Sequence, residues 1–169
     1  GDIDMRAWYE DLAGICDLVA NIPGVDPTEV HAIGFSAGGA IAAKAAGLDR
    51  SFASLLLMAS PAELGQIIPA DPHILREYFR SLGLIKTDDF PRDLVAWHRA
   101  FLDLKAVRWL PFIAPRPRGI VHGDGDTIVP FEHARRLYDA AFDPKTLTML
   151  EGASHQLRRD PRTTPLIID

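Results

Sequence analysis

Apolar side chains follow two different spacings along the first third of the chain, and these spacings predict a helix, a strand, a helix and a strand. In residues 4–21 the apolar positions recur three and four apart, which gives a helix one apolar stripe. The stripe consists of Trp8, Leu12, Ile15, Leu18 and Val19. Residues 30–35 and 52–59 are short apolar runs bounded by turn residues, as in buried strands. Between them, the Ala- and Gly-rich residues 37–48 predict a helix pressed closely against a sheet.

The pattern changes in residues 61–113, which we interpret as an inserted helical cap. Prolines interrupt this stretch at Pro61, Pro69, Pro72, Pro91 and Pro111. Helical spacing is found in residues 73–82 and 89–110. The apolar side chains of the cap either line a substrate pocket or pack the cap onto the sheet. They include Leu75, Tyr78, Phe79, Trp97 and Phe101.

Alternation of strands and helices resumes after the cap. Residues 119–122 and 146–150 are predicted strands, and residues 132–141 a predicted helix. The start of a further helix is expected at residues 164–169. Strands alternating with helices indicate an α/β fold, with a mostly parallel sheet flanked by helices.

Length, composition and charge narrow the function classes. The 169 residues fit a single domain, with 47% hydrophobic and 24% charged residues. The net charge of −5 and the absence of a Lys/Arg cluster argue against nucleic-acid binding. No apolar run approaches the roughly 18 residues of a membrane span. The single cysteine, Cys16, excludes an internal disulfide framework, so we expect a cytoplasmic protein.

The strongest chemical signal is the sequence Gly34-Phe35-Ser36-Ala37-Gly38, a G-x-S-x-G motif between a predicted strand and a predicted helix. A sharp strand-to-helix turn exposes the Ser36 hydroxyl and needs glycine at positions 34 and 38. The Ala37 N–H at the helix start is a candidate oxyanion donor. The alternative is a turn of small residues that only lets the helix and strand pack.

Two later loops offer a candidate acid and a candidate base for Ser36. Taken one at a time, the alternatives are a solvated polar turn and a surface histidine. The segment His122-Gly123-Asp124-Gly125-Asp126 stands at the end of a predicted strand, and we call the part after His122 the acid loop, with Asp126 the preferred acid and Asp124 the second choice. His155 follows the last strand, and the chain order Ser, Asp, His is the one used by α/β hydrolases. We expect His122 to hold the acid loop and His31 to pack inside its strand. His73 and His98 lie in the cap and could at most touch substrate. No cofactor or metal is implied, because His122 and Asp124 lack a third ligand.

The segments GFSAGG, HGDGDTIVP and GASH resemble the α/β-hydrolase superfamily, especially its esterase and peptidase branch of dienelactone-hydrolase-like and acylaminoacyl-peptidase-related proteins. The resemblance implies a catalytic triad of Ser36, Asp126 and His155, with the Ala37 N–H as half of the oxyanion hole. A serine nucleophile departs from the cysteine of dienelactone hydrolases, and from the aspartate of dehalogenases.

The resemblance covers the C-terminal part of an α/β-hydrolase fold. Residues 1–60 and 114–169 correspond to its core and residues 61–113 to its cap. The strands that precede the nucleophile strand in the family, and the loop that donates the second oxyanion N–H, have no counterpart in this sequence. We therefore expect an exposed sheet edge, covered by a second copy of the chain or by a complementing N-terminal segment.

Three functions are compatible with these residues. A serine hydrolase of the carboxylesterase type, cleaving an ester, thioester or amide of a small-molecule acyl substrate, explains all three motifs. A serine peptidase of the acylaminoacyl-peptidase type needs a charge that grips a peptide terminus, and Glu63 and Glu77 are not specific enough to assign that role. A non-catalytic, hydrolase-like binding module is the third alternative.

Overall fold

A four-stranded parallel sheet forms the centre of the fold in the computed structural model, which describes residues 2–168. The strands are β1 (His31–Phe35), β2 (Ser54–Met58), β3 (Arg118–Gly123) and β4 (Lys145–Leu150). Their spatial order is β1-β2-β3-β4, and each pairs in parallel with the next. All carboxyl ends therefore lie along one edge of the sheet. The predicted α/β fold with a parallel sheet flanked by helices is confirmed.

Within residues 2–168, six α-helices connect and cover the strands. They are α1 (Met5–Ala20), α2 (Ala37–Leu48), α3 (Pro72–Ser81), α4 (Leu94–Leu102), α5 (Glu132–Ala140) and α6 (Thr163–Ile168). Aspartates cap three of the helix starts: Asp4, Asp71 and Asp93 accept backbone N–H groups of the first turns of α1, α3 and α4. Such caps satisfy donors that have no partner within the helix.

The prediction of one helix over residues 89–110 is wrong. Asp93 is the cap, so α4 begins at Leu94, and the helix ends after nine residues at Leu102. Two 3₁₀ turns follow, Ala106–Arg108 and Leu110–Ile113. Pro111 lies in the second of these turns, where its missing N–H is compatible with a short turn but not with a continuing α-helix.

Helix α2 lies against the sheet along most of its length. Its buried residues are Gly39, Ala40, Ile41, Ala42, Ala43, Ala45 and Ala46. The small side chains allow close approach, as the Ala- and Gly-rich sequence predicted. His31 does not pack as expected, because its side chain is exposed at the start of β1. There its Nδ1 is 2.8 Å from the Ser54 hydroxyl oxygen.

The apolar side chains of residues 61–113 mostly pack inward. Leu75, Phe79, Trp97 and Phe101 are buried in the cluster that also contains α2, whereas Tyr78 is exposed. The rings of Phe79, Trp97 and Phe101 contact one another with centroids 4.9–6.1 Å apart. The Trp97 indole donates a hydrogen bond to the Ile3 carbonyl at 2.8 Å. These side chains therefore hold α3 and α4 against the segment that leads into α1.

Strand β1 lies at an edge of the sheet and borders an open groove. The groove has a volume of about 550 Å³ and lies between α1, β1 and α2. Trp8 and Leu12 line it on the α1 side, and Gly38 and Ile41 line it on the α2 side. Phe35 also lines it, so the groove extends to the residue that precedes Ser36.

Arg116 ties the end of α2 to the segment before β3. Its guanidinium donates to the carbonyls of Ala46, Asp49 and Phe52, and its Nε donates to the carbonyl of Ile113 at 3.1 Å. The carbonyls at a helix C-terminus lack intrahelical partners, and a cation also interacts favourably with the helix dipole there. Arg116 therefore joins its own segment, through Ile113, to the carbonyls at and just after the C-terminal end of α2, which are far away in sequence.

Replacing Arg116 with alanine should lower the free energy of unfolding by about 2 kcal/mol, because several charged hydrogen bonds to carbonyls are lost together. Urea denaturation of Arg116→Ala measures this effect, with Arg50→Ala as the control variant. Arg50 is a nearby exposed arginine, so its removal should change stability by less than about 0.5 kcal/mol. Equal effects of the two substitutions would contradict the bridging role of Arg116.

Candidate active site

Ser36 lies at the sharp turn between β1 and α2 in a strained backbone conformation. Its φ is 53° and its ψ is −130°, a positive φ that is uncommon for a residue with a side chain. Its N–H donates to the Met58 carbonyl at 2.9 Å, which continues the pairing of β1 with β2 up to the turn. Helix α2 begins at the next residue, Ala37. The turn thus lifts the Ser36 hydroxyl above the carboxyl ends of the strands.

Close backbone approach at this turn depends on Gly34 and Gly39. A Cβ added to Gly34 would lie 2.4 Å from the Cα of Gly39, and one added to Gly39 would lie 2.6 Å from the hydroxyl oxygen of Ser60. Both distances are too short for a real carbon atom. The expectation that glycine is needed at position 38 is wrong, because a Cβ added there would have no atom of the described residues within 4 Å.

The Asp126 carboxylate is buried and fixed by its own loop. Its Oδ1 accepts hydrogen bonds from the N–H groups of Ile128 at 2.9 Å and Val129 at 2.8 Å. Its Oδ2 is 2.7 Å from Nδ1 of His155. A carboxylate only accepts hydrogen bonds, so His155 carries its proton on Nδ1.

His155 links Asp126 to Ser36. With the proton on Nδ1, its Nε2 lone pair faces the Ser36 hydroxyl, and the two atoms are 3.0 Å apart. His155 is 8% exposed as a residue, and its imidazole lies beside the Phe35 ring, with centroids 5.1 Å apart. The structure therefore brings together the three side chains that the sequence singled out, in the geometry of a nucleophile, a base and an orienting carboxylate.

Ala37 occupies the first position of α2, directly after Ser36. The first N–H groups of a helix have no intrahelical acceptor and lie at the positive end of the helix dipole. The N–H of Ser36 itself is used by Met58. The N–H of Ala37 is therefore better placed than the N–H of Ser36 to donate to an oxygen atom that becomes negatively charged.

Asp124, the second choice for the acid, has a different partner. Its Oδ1 accepts the N–H of Gly152 at 2.6 Å, which ties the acid loop to the loop that carries His155. The contact of His155 with Asp126 thus distinguishes the two aspartates, which the spacing of the motif left open.

Two features near the site have no signal in the sequence. His133 in α5 is buried, and its Nδ1 accepts the N–H of Ala62 at 3.2 Å, which holds the loop after β2. Ala59, in the same loop, has a positive φ of 48° and donates its N–H to the Val121 carbonyl. Residues 62 and 133 are far apart along the chain, so only the fold reveals their contact.

Burial lowers the pKa of His122 and of His133 below the ordinary histidine value of 6.5. For His122 the hydrogen bond to Val129 and the charge of Asp126 act in the opposite direction but are smaller. Both imidazoles are therefore neutral near pH 7. The hydrogen bond from Ala62 requires the neutral form of His133, because its Nδ1 must keep a lone pair.

Among the side chains that the structure describes, no three His, Cys, Asp or Glu residues lie close enough together to hold a metal ion. In the same part of the chain, no helix has the length and apolar character required to cross a membrane.

The sequence profile of the α/β hydrolase family matches residues 2–165, and this chain belongs to that family. Among curated proteins, the uncharacterized protein YfhR of Escherichia coli (strain K12) is 23% identical over 166 residues. The match covers 92% of this chain and 48% of YfhR. The chain thus spans about half the length of the curated relatives it matches.

Solved structures with the same fold include the α/β hydrolase GrgF from Penicillium sp. sh18, with a TM-score of 0.72 and 18% identity over 99% of this chain and 71% of that one. An acetyl xylan esterase from Paenibacillus sp. R4 has a TM-score of 0.68 and 18% identity over 95% of this chain and 50% of that one. At these identities the likeness establishes the fold.

Gly34→Ala should lower the free energy of unfolding by about 2 kcal/mol or more, because its Cβ overlaps the backbone of α2. Gly38→Ala is the matched control within the same motif. It should leave stability unchanged or raise it by up to about 1 kcal/mol, because alanine favours the helix. Chemical denaturation of both variants and of wild type measures the difference. A Gly34→Ala variant at least as stable as Gly38→Ala would refute the close-approach argument.

Stability should fall as the pH is lowered through about 6.5, because the unfolded chain then binds protons that the folded His122 and His133 do not. The slope is at most about 1.4 kcal/mol per pH unit for each histidine, and it vanishes below their folded pKa values. His133→Asn keeps an acceptor for Ala62 but does not titrate, so it should flatten this pH dependence. His73→Asn, at an exposed histidine, is the control. Equal slopes in wild type and His133→Asn would contradict the prediction.

Proposed function

We propose that this protein is a serine hydrolase that cleaves carboxylic esters through an acyl-enzyme intermediate. The observation that carries the proposal is the continuous hydrogen-bonded chain from the Ser36 hydroxyl through His155 to the buried Asp126. Membership of the α/β hydrolase family supports hydrolysis as the reaction class. The esterase activity printed in the name of the Paenibacillus sp. R4 protein is consistent with it.

The acylation step follows from the positions of the protons. Nε2 of His155 takes the proton of Ser36 as Oγ attacks the carbonyl carbon of the substrate. The charge of Asp126 stabilises the imidazolium that forms. Negative charge on the former carbonyl oxygen is stabilised by the Ala37 N–H at the start of α2. Collapse of this intermediate breaks the bond to the leaving alcohol, which takes its proton from His155.

Deacylation repeats these steps with water. His155 removes a proton from a water molecule, whose oxygen attacks the acyl carbon, and then returns the proton to Ser36 as the acid product leaves. An ester suits this site because an alcohol leaves more readily than an amine. The contribution of the Ala37 N–H is decisive in either case, since loss of one oxyanion donor costs about 100- to 1000-fold in turnover.

The apolar groove beside β1 is compatible with a substrate that has apolar parts. It reaches Phe35 and Gly38, the residues on either side of the Ser36-Ala37 pair. The aromatic side chains of residues 61–113 are mostly packed into the core, which favours β1 and α2 over the predicted cap as the wall beside the nucleophile.

A fluorophosphonate probe should label wild-type protein on Ser36, because only an activated serine reacts with such a reagent. Mass spectrometry locates the adduct, and Ser36→Ala should abolish it without unfolding the protein. Label on another residue, or no label on folded wild-type protein, would refute the proposed nucleophile.

Asp126→Asn should slow labelling by about 1000-fold or more, because an amide does not stabilise the imidazolium and disturbs the tautomer of His155. Asp124→Asn is the matched control, since Asp124 contacts Gly152 and not His155. Second-order labelling rates of the two variants compare these roles directly. A greater loss in Asp124→Asn would reverse the assignment of the acid.

A substrate panel distinguishes the chemical class. The proposal predicts turnover of p-nitrophenyl esters of short and medium acyl chains at rates that exceed those of the matching p-nitroanilides. Faster cleavage of N-acylated peptide anilides would instead support a peptidase. Labelling of Ser36 without turnover of either series would refute hydrolysis and support a binding module.

A further inference from the structure

His122 lies outside the chain of contacts that links Ser36, His155 and Asp126, yet it is one of the most enclosed polar side chains in the protein. It is 0% exposed and belongs to β3, just before the acid loop. The Phe131 ring packs against the imidazole edge to face, with centroids 6.0 Å apart. A polar side chain in such a place costs free energy unless its hydrogen bonds are satisfied.

The partners of His122 identify its tautomer. Its Nε2 is 2.8 Å from the Val129 carbonyl oxygen, which can only accept a hydrogen bond. Nε2 therefore carries the proton, and in the neutral ring Nδ1 is left with a lone pair. Nδ1 is buried and has no hydrogen-bond partner within residues 2–168. The Nε2–H group is thus the polar group through which His122 acts.

The same Nε2 is 3.4 Å from Oδ2 of Asp126. The two oxygens of this carboxylate are used differently: Oδ1 accepts from the backbone of Ile128 and Val129, whereas Oδ2 faces both His155 and His122. The backbone bonds hold the carboxylate in place without His122. Oδ2 is therefore the point at which the two imidazoles meet.

We propose, on the basis of the function proposed above, that His122 is a positioning residue that shares Oδ2 of Asp126 with His155 and so limits how strongly the carboxylate favours the charged form of the base. The N–H of His122 is donated to the Val129 carbonyl, but its nitrogen also lies 3.4 Å from Oδ2, so the positive end of the N–H dipole stabilises part of the negative charge there. That part is not available to the imidazolium of His155.

The charge state of His122 is central to this role. The titratable groups that face it are Asp126 in the acid loop, His155 in the loop after β4, and His133 in α5. Burial lowers the pKa of His122, with Asp126 partly opposing the effect. The neutral ring donates one hydrogen bond and does not place a full positive charge beside Asp126.

Two substitutions separate this role from simple packing. His122→Phe fills a similar volume but has no donor, whereas His122→Gln can place an amide N–H near the position of Nε2. The readout is the rate of fluorophosphonate labelling of Ser36 as a function of pH, with each profile normalised to its own plateau. Thermal unfolding shows that each variant is folded.

In His122→Phe the acid-side midpoint of the labelling profile should move to higher pH by about half a unit, because removal of the N–H dipole whose nitrogen lies 3.4 Å from Oδ2 leaves more of the carboxylate charge to the imidazolium of His155. In His122→Gln the midpoint should return toward that of wild type. The same displacement should be seen in the ring ¹⁵N signals of His155, which are measured without any substrate. A folded His122→Phe variant with an unchanged or lowered midpoint would overturn the proposal, because a packing role changes stability and not the midpoint.

Wild-type protein provides a test that does not depend on a variant. The ring ¹⁵N chemical shifts of His122 should show a proton on Nε2 and none on Nδ1 throughout the pH range in which labelling declines. A proton on Nδ1, or a charged ring in that range, would overturn the role of His122. Failure of wild-type labelling at Ser36 would instead refute the hydrolase proposal, so the two failures are distinguishable.

Discussion

Contact between two glycines, Gly34 in β1 and Gly39 in α2, is the constraint on which the candidate site depends. Because neither residue has a side chain, the first turn of α2 lies directly on the end of β1. The chain can then reverse within one residue, and Ser36 accepts the strained conformation that this reversal requires. The strain is sustained on both sides, by sheet pairing through Met58 and by the buried length of α2. A looser packing of α2 would release Ser36 from this position.

Asp126 has a comparable role among the polar groups. Backbone N–H groups of its own loop hold one oxygen, and imidazoles from two different elements approach the other. His155 is therefore oriented by a carboxylate that is itself buried and held by backbone N–H groups. It also connects β3, the acid loop and the loop after β4, so the groups proposed to act in catalysis help to order the carboxyl edge of the sheet.

Residues 61–113 contribute to the site mainly by stabilising the packing around α2. Their aromatic side chains belong to the core cluster that also contains residues of α1 and α2, and His133 secures the start of this segment at Ala62. Arg116 secures its other end to α2 and to the segment that enters β2. The segment is therefore integrated with the packing of α2, the helix that presents Ser36.

The sequence by itself determined the order of strands and helices, the parallel sheet and the three side chains that meet at its carboxyl edge. These features depend on local signals: the spacing of apolar residues, the glycine-flanked Ser36, and polar loops after strands. Tertiary structure decided the rest. The contacts that separate the preferred Asp126 from the second candidate Asp124, the need for glycine at position 39 rather than 38, and the buried roles of His122 and His133 all depend on distances between separate elements. Such distances follow from how elements pack, and a spacing along the chain does not encode them.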